Sequence, residues 1–73
     1  MSRAVVAEVL GTCLDLEGVR TRVRLRVPGR KESYFWTSRK DMRRGQVLRV
    51  GFSSRARTGE LEGARVLGLE SWS

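Results

Sequence analysis

From Val19 to Val27 the chain alternates without a break, with Val19, Thr21, Val23, Leu25 and Val27 in one set of positions and Arg20, Arg22, Arg24 and Arg26 in the other. Side chains two apart leave a pleated backbone on the same face. The stretch therefore predicts a strand sealed on one side and lined with guanidinium groups on the other. Upstream, Arg3 to Leu14 is rich in valine and leucine, but its alternation changes phase near Gly11. Val5, Ala7 and Val9 fit one face, and Leu10, Thr12 and Leu14 the other. A glycine at a phase change predicts one long strand, bent by a bulge or at a barrel corner. Leu14-Asp15-Leu16-Glu17-Gly18 closes a turn, so the two strands pair as a hairpin.

Pro28-Gly29 turns the chain into a third strand, Ser33 to Thr37, which holds Tyr34, Phe35 and Trp36 in succession. Opposed residues share a face, so the loop length decides which aromatics join the arginines. A loop of Pro28-Gly29, or of Pro28 through Lys31, puts Phe35 on the arginine face and sends Tyr34 and Trp36 inward. A loop of Pro28-Gly29-Arg30 sets Arg26 against Glu32 and brings Tyr34 and Trp36 beside Arg24 and Arg22. The pattern leaves both open, and each puts at least one aromatic next to the arginines.

Ser38-Arg39-Lys40-Asp41 has the spacing of a capping box, and Gly45 supplies a stop. Together they predict one or two helical turns carrying Arg39, Lys40, Arg43 and Arg44, with Met42 as the inward anchor; a solvated basic turn is the alternative. A fourth strand, Gln46 to Ser54, sets Leu48, Val50 and Phe52 against Val47, Arg49 and Gly51. A polar loop from Arg55 to Gly63 follows, then a last strand, Ala64 to Glu70, with Val66, Leu67 and Leu69 as candidates for burial. Trp72 lies in the tail. The expected fold is all-β: a small five-stranded OB-like barrel with a short helical turn between strands 3 and 4, in a single domain spanning 1–73.

Charge gives the arginine face a meaning. The chain carries 15 basic and 8 acidic residues, for a net charge of +7, and 13 of the basic residues are arginine. A small basic domain attracts polyanions, and the planar guanidinium suits both phosphate and base stacking. Within the strand no acid interrupts the four arginines. Successive ones stand about 6.5 to 7 Å apart, close to the phosphate spacing of an extended single strand. Solvation of an edge strand is the plainer account of such a face.

Catalysis finds no support in the residues. There is no histidine, no carboxylate pair spaced for general acid and base work, and no Gly-Lys-Ser or Gly-Lys-Thr phosphate loop. Cys13, the only cysteine, reads as a small apolar residue, and no metal site or cofactor is expected. The apolar run Ala4 to Ala7 is too short for a membrane span or signal core, so a cytoplasmic location is expected.

The layout resembles the small S1-type OB domains and, in length and spacing, is similar to the bacterial translation initiation factor one family. The resemblance rests on Ala7 to Thr12, on Ser38 to Arg44 and on Gly45 to Val50. It implies an RNA-facing surface at Arg22, Arg24, Phe35, Arg39, Lys40, Arg43 and Arg44. A second resemblance, to PilZ barrels, rests on Gly45 to Phe52 with Gly63 to Val66, and implies a cyclic-dinucleotide ligand. Asp15-Leu16-Glu17-Gly18 lacks the serine and spacing of the Asp-x-Ser-x-x-Gly turn of that family.

The expected function is binding of single-stranded RNA or DNA with little sequence specificity. The site residues are Arg20, Arg22, Arg24, Arg26, Tyr34, Phe35, Trp36, Arg39, Lys40, Arg43 and Arg44. Neutralising about five phosphates gives a slope near −3.5 in a plot of log affinity against log salt. The rival is a small-barrel protein interaction module that docks an acidic partner or self-assembles through its edges, with Trp72 and the aromatic strand as anchors; a larger nucleoprotein machine is also among the expected partners.

Overall fold

The computed structural model describes residues 2–72, which form strands and connecting turns with no helix. In chain order the strands are β1 (Arg3–Leu14), β2 (Thr21–Arg26), β3 (Ser33–Thr37), β4 (Gln46–Phe52), β5 (Ser54–Arg55), β6 (Leu61–Glu62) and β7 (Arg65–Trp72). A five-stranded antiparallel sheet runs β3-β2-β1-β4-β7, and β5 pairs with β6 as a separate hairpin.

β1 organises the sheet by changing partners along its length. Arg3 to Glu8 pair with β4, whereas Glu8 to Leu14 pair with β2, so Glu8 stands where both neighbours meet. The register slips between Val9 and Gly11, which makes Leu10 the extra residue of a bulge. This is the phase change read from the sequence, and it bends the strand where it changes partners. Before the bulge Ala7 and Val9 are buried; beyond it Thr12, Cys13 and Leu14 are exposed.

β2 keeps its alternation from Thr21 to Arg26, with Thr21, Val23 and Leu25 buried and the arginines exposed. It starts later than expected. Val19 is 58 % exposed, because the Asp15 carboxylate accepts the Val19 amide and fixes it in the turn instead of the ladder. The turn into β3 resolves the open parity. The Arg30 amide donates to the Val27 carbonyl at 3.1 Å, with Gly29 at φ 76°, a conformation glycine adopts without strain. Arg22 then opposes Trp36, Arg24 opposes Tyr34, and Val23 opposes Phe35. Phe35, expected as a binding residue, is instead the largest fully buried side chain.

The core lies under the inner face of the sheet, where Val9, Val23, Leu25, Phe35, Leu48 and Val50 have almost no exposure. Met42 closes it from the connection between β3 and β4, as expected, and Leu61 closes it from β6. Nothing in the local pattern marks Leu61, because a lone leucine among charged residues reads as loop.

Two expectations fail. The ladder does not close into a barrel: it ends at β3 and β7, although the β5–β6 hairpin leans on the free edge of β3, where the Tyr34 amide donates to the Gly59 carbonyl at 3.0 Å. The helical turn is also absent. Asp41 is drawn into a two-point contact with the Arg39 guanidinium, and the Arg39 amide bonds Thr37 Oγ1, so the groups that would have capped a helix are spent. The Gln46 side chain accepts the Arg43 amide, and Gly45 bonds the Val9 carbonyl. These contacts tie residues 38–45 down as an irregular strap, where one isolated turn of helix would not nucleate.

The last strand is longer than expected and takes in Trp72, which pairs with Gln46. Leu67 and Leu69 are about half exposed, because β7 is the edge of the sheet and no layer covers it. No helix of the described residues is long and apolar enough to cross a membrane.

Candidate nucleic-acid interface

The outer face of β2 and β3 carries a repeating diagonal. The Arg20 guanidinium lies over the Trp36 ring, 4.9 Å from its centroid, and that of Arg22 lies over Tyr34 at 5.5 Å. Arg24 repeats the geometry toward Glu32, with its Nη1 3.6 Å from the carboxylate. Arg22 and Arg24 lean past their directly opposed residues, Trp36 and Tyr34, to the next outward position along the chain, and Arg20, just ahead of β2, follows the same diagonal that a twisted antiparallel pair permits to long side chains. Two of the three positions hold rings, and the third holds an acid.

β1 continues the face. A Cβ at Gly11 would stand 3.4 Å from Arg24 Nη2, so the glycine gives that guanidinium room to lie across the strand. Arg26 reaches Glu8 at 3.8 Å, and Cys13, exposed, stands opposite Arg22. The arginine face is thus not free of acids. Arg20, Arg24 and Arg26 each have a carboxylate between 3.6 and 3.8 Å away, and only Arg22 of the four lacks one among the described residues. All three pairs are long and their arginines are between 46 % and 68 % exposed, so they hold the side chains weakly.

The basic strap is largely committed elsewhere. Arg39 is held by Asp41, and Arg43 Nη1 donates to the carbonyls of Lys40 and Met42. Lys40 Nζ donates to the carbonyls of Gly18 and Val19 at 3.1 Å each, so it braces the β1–β2 turn instead of standing out as a phosphate ligand. Arg44 is exposed, with no ion pair among the described residues. Of the expected site residues, Arg20, Arg22, Arg24, Arg26, Tyr34 and Trp36 come together on one face. Arg39, Lys40 and Arg43 serve the strap and turn, and Phe35 is in the core.

Sequence reasoning missed the acids. Glu32 could have been found, since the Pro28-Gly29-Arg30 loop already set it against Arg26; Glu8 and Asp15 depend on the bend of β1 and the folded turn. Asp15 does most to shape that turn. Its carboxylate accepts the amides of Val19 and Arg20, and its carbonyl accepts that of Gly18. Partial desolvation pushes the Asp15 carboxyl upward, but those backbone donors and the Arg20 charge outweigh it and hold the group below its ordinary 3.8. The Arg39 contact holds Asp41 below the same value. A lowered folded-state value stabilises the protein at pH above the unfolded value, and that contribution is lost as pH falls through the folded one. The melting temperature should therefore fall as pH drops below 3.8, and Asp15→Asn should flatten that fall; melts recorded by circular dichroism across acidic buffers measure both.

No family model, curated protein or solved structure matches the chain.

Proposed function

We propose that this protein binds single-stranded RNA or DNA with little sequence preference on the outer face of β2 and β3, as a nucleic-acid-binding domain and not an enzyme. The observation that carries the reading is the diagonal ladder of Arg20 on Trp36 and Arg22 on Tyr34. Consecutive outward positions on a strand are about 6.5 to 7 Å apart, twice the separation of stacked bases in a duplex. The face therefore matches bases that are splayed out along an extended strand. Aromatic rings and guanidinium planes offer stacking surfaces to any base, worth about 1 to 3 kcal/mol per base, while Arg24 and Arg26 exchange their carboxylates for phosphates. An OB-like reading of the fold is supported by the bent β1 and by the hairpin against β3, since such barrels are often only partly closed. A reducing cytoplasm suits the exposed thiol of Cys13.

With Lys40, Arg39 and Arg43 engaged in the fold, the four strand arginines remain as phosphate ligands. The slope of log affinity against log salt should then be about −2.8, at about −0.7 per phosphate. Fluorescence anisotropy of a labelled single-stranded oligonucleotide, titrated at several salt concentrations, measures it. No binding at low salt, or preference for duplex of the same sequence, would defeat the reading.

One observation favours a protein partner instead. Leu14, Leu16 and Val19 stand exposed around the β1–β2 turn, Leu16 completely so, on a backbone held by both Asp15 and Lys40. Absorbance near 260 nm in the purified protein, removed by nuclease and salt, separates the two: its presence favours nucleic acid, and a clean protein spectrum with a stable complex favours the partner.

A further inference from the structure

The two edges of the sheet are treated differently. β3 is five residues long and its free side is met by the β5–β6 hairpin, through the Tyr34–Gly59 hydrogen bond and the parallel bridge from Tyr34 to Glu60. β7 is eight residues long, and its far side has no strand partner among the described residues. Natural edge strands are usually protected by brevity, lysine, proline or an inward charge. β7 contains neither lysine nor proline, and presents Leu67 and Leu69 about half exposed, with Trp72 at its end. Its protection comes from two bulges and the charges of Arg65 and Glu70.

Those bulges decide which residues can face a second copy. Val66 pairs with Val50 and Leu69 with Leu48, both core positions of β4, so Val66 and Leu69 lie toward the inner face. Gly68 pairs with the exposed Arg49, and Leu67 is the extra residue between Val66 and Gly68. Its side chain covers Gly51 on the outer face, where a Cβ would come within 3.3 Å of Leu67 Cδ1. Without a bulge, Val66 and Leu69 would point to opposite faces and could not oppose each other in a two-fold pair. With it, they can.

We propose that β7 is the pairing edge of a homodimer, in which two copies meet antiparallel with Arg65 of each opposite Glu70 of the other. In this register Val66 opposes Leu69 on the inner side and Leu67 opposes Gly68 on the outer side, each twice by symmetry. Arg65 and Glu70 form no ion pair within the chain among the described residues, so both charges are available to the second copy. Self-complementary charge at the two ends of the paired segment 65–70, with leucine and valine between, suits a second copy better than an acidic or basic stranger. A single strand edge is small beside the ~1,600 Å² of a standard interface, so the dimer is reversible and depends on concentration. The proposal is independent of nucleic-acid binding, because the arginine face lies at the opposite edge.

Sedimentation velocity over a micromolar to near-millimolar dilution series tests it. The wild type should pass from monomer to dimer. Arg65→Glu, or Glu70→Arg, sets like charges against each other twice and should shift the midpoint at least tenfold toward monomer. The double variant R65E/E70R restores opposite charges and should recover the dimer. Hydrogen exchange provides a second measurement that needs no variant: amides of β7 should slow in concentrated samples while exposed turn amides do not. A wild type monomeric throughout, single variants that leave association unchanged, a double variant that does not recover, or β7 exchange insensitive to concentration would each overturn the pairing.

Discussion

Arg22→Glu combined with Arg24→Glu should abolish oligonucleotide binding while the fold persists. Both side chains are on the exposed set of β2, and Arg24 has nearly half of its surface in water, so neither reversal buries a charge. The change removes two phosphate contacts and replaces each with a repulsive carboxylate. A hydrogen bond to a charged group contributes about 1.5–3 kcal/mol, so two lost contacts alone exceed about 3 kcal/mol, a weakening of more than 100-fold. Arg22 also covers Tyr34, and its loss leaves that ring held only at its hydroxyl, which donates to Thr58 Oγ1. The double reversal lowers net charge from +7 to +3, two units at each position, so general attraction falls as well. Arg44→Glu probes the charge effect by itself, since it lowers the net charge by two and Arg44 is exposed on the strap, outside β2 and β3. Anisotropy titrations should show near-wild-type binding for Arg44→Glu and none for the double variant, with unchanged circular dichroism in both. Equal losses in the two would reduce the site to diffuse charge, and unchanged binding in the double variant would remove it.

Phe35→Ala should leave the protein largely unfolded at 37 °C, whereas Trp36→Ala, one residue along, should leave it folded and weaken binding. Phe35 is completely buried and is the largest such side chain, opposite Val23 in the middle of the core. Truncating a buried phenylalanine costs about 3–5 kcal/mol in lost transfer energy and cavity. A domain of this length has a total stability of roughly 4–11 kcal/mol, at about 0.05–0.15 per residue, so the loss consumes much or all of it. Trp36 stands on the other face under the Arg20 guanidinium. Its removal opens no core cavity, but forfeits a stacking surface worth about 1–3 kcal/mol per base. Urea unfolding monitored by far-ultraviolet circular dichroism, with binding measured in parallel, reads both variants. The assignment of the faces would be wrong if the phenylalanine variant kept its stability and the tryptophan variant lost it.

The strands were legible where alternation was uninterrupted. Thr21 to Arg26 and Gln46 to Phe52 needed only period two, and the bend of β1 was marked by Gly11. Fold class followed from these local patterns. What remained illegible depended on contacts between distant segments. Nothing local says that Lys40 will reach the Gly18 and Val19 carbonyls, or that Asp41 will prefer the Arg39 side chain to a capping position. Leu67 and Leu69 looked like core because their types are apolar, and only the strand order shows that they stand on an edge. At the candidate site the charges were visible but their balance was not. The acids beside Arg20, Arg24 and Arg26 arrive from the turn, from β1 and from the residue before β3.

The partner change at Glu8 also sets an order of assembly. The pairings of β1 with β2 and of β2 with β3 join neighbours in sequence across short turns, so they can form as soon as the first half of the chain is available. The pairing of β1 with β4 joins residues far apart in sequence, from Glu8 with Val47 to Arg3 with Phe52, and non-local contacts of this kind are the slower ones to form. The arginine face is therefore laid down by the fast, local part of folding. The slow step, β4 docking along the first half of β1, supplies the remaining core that holds it.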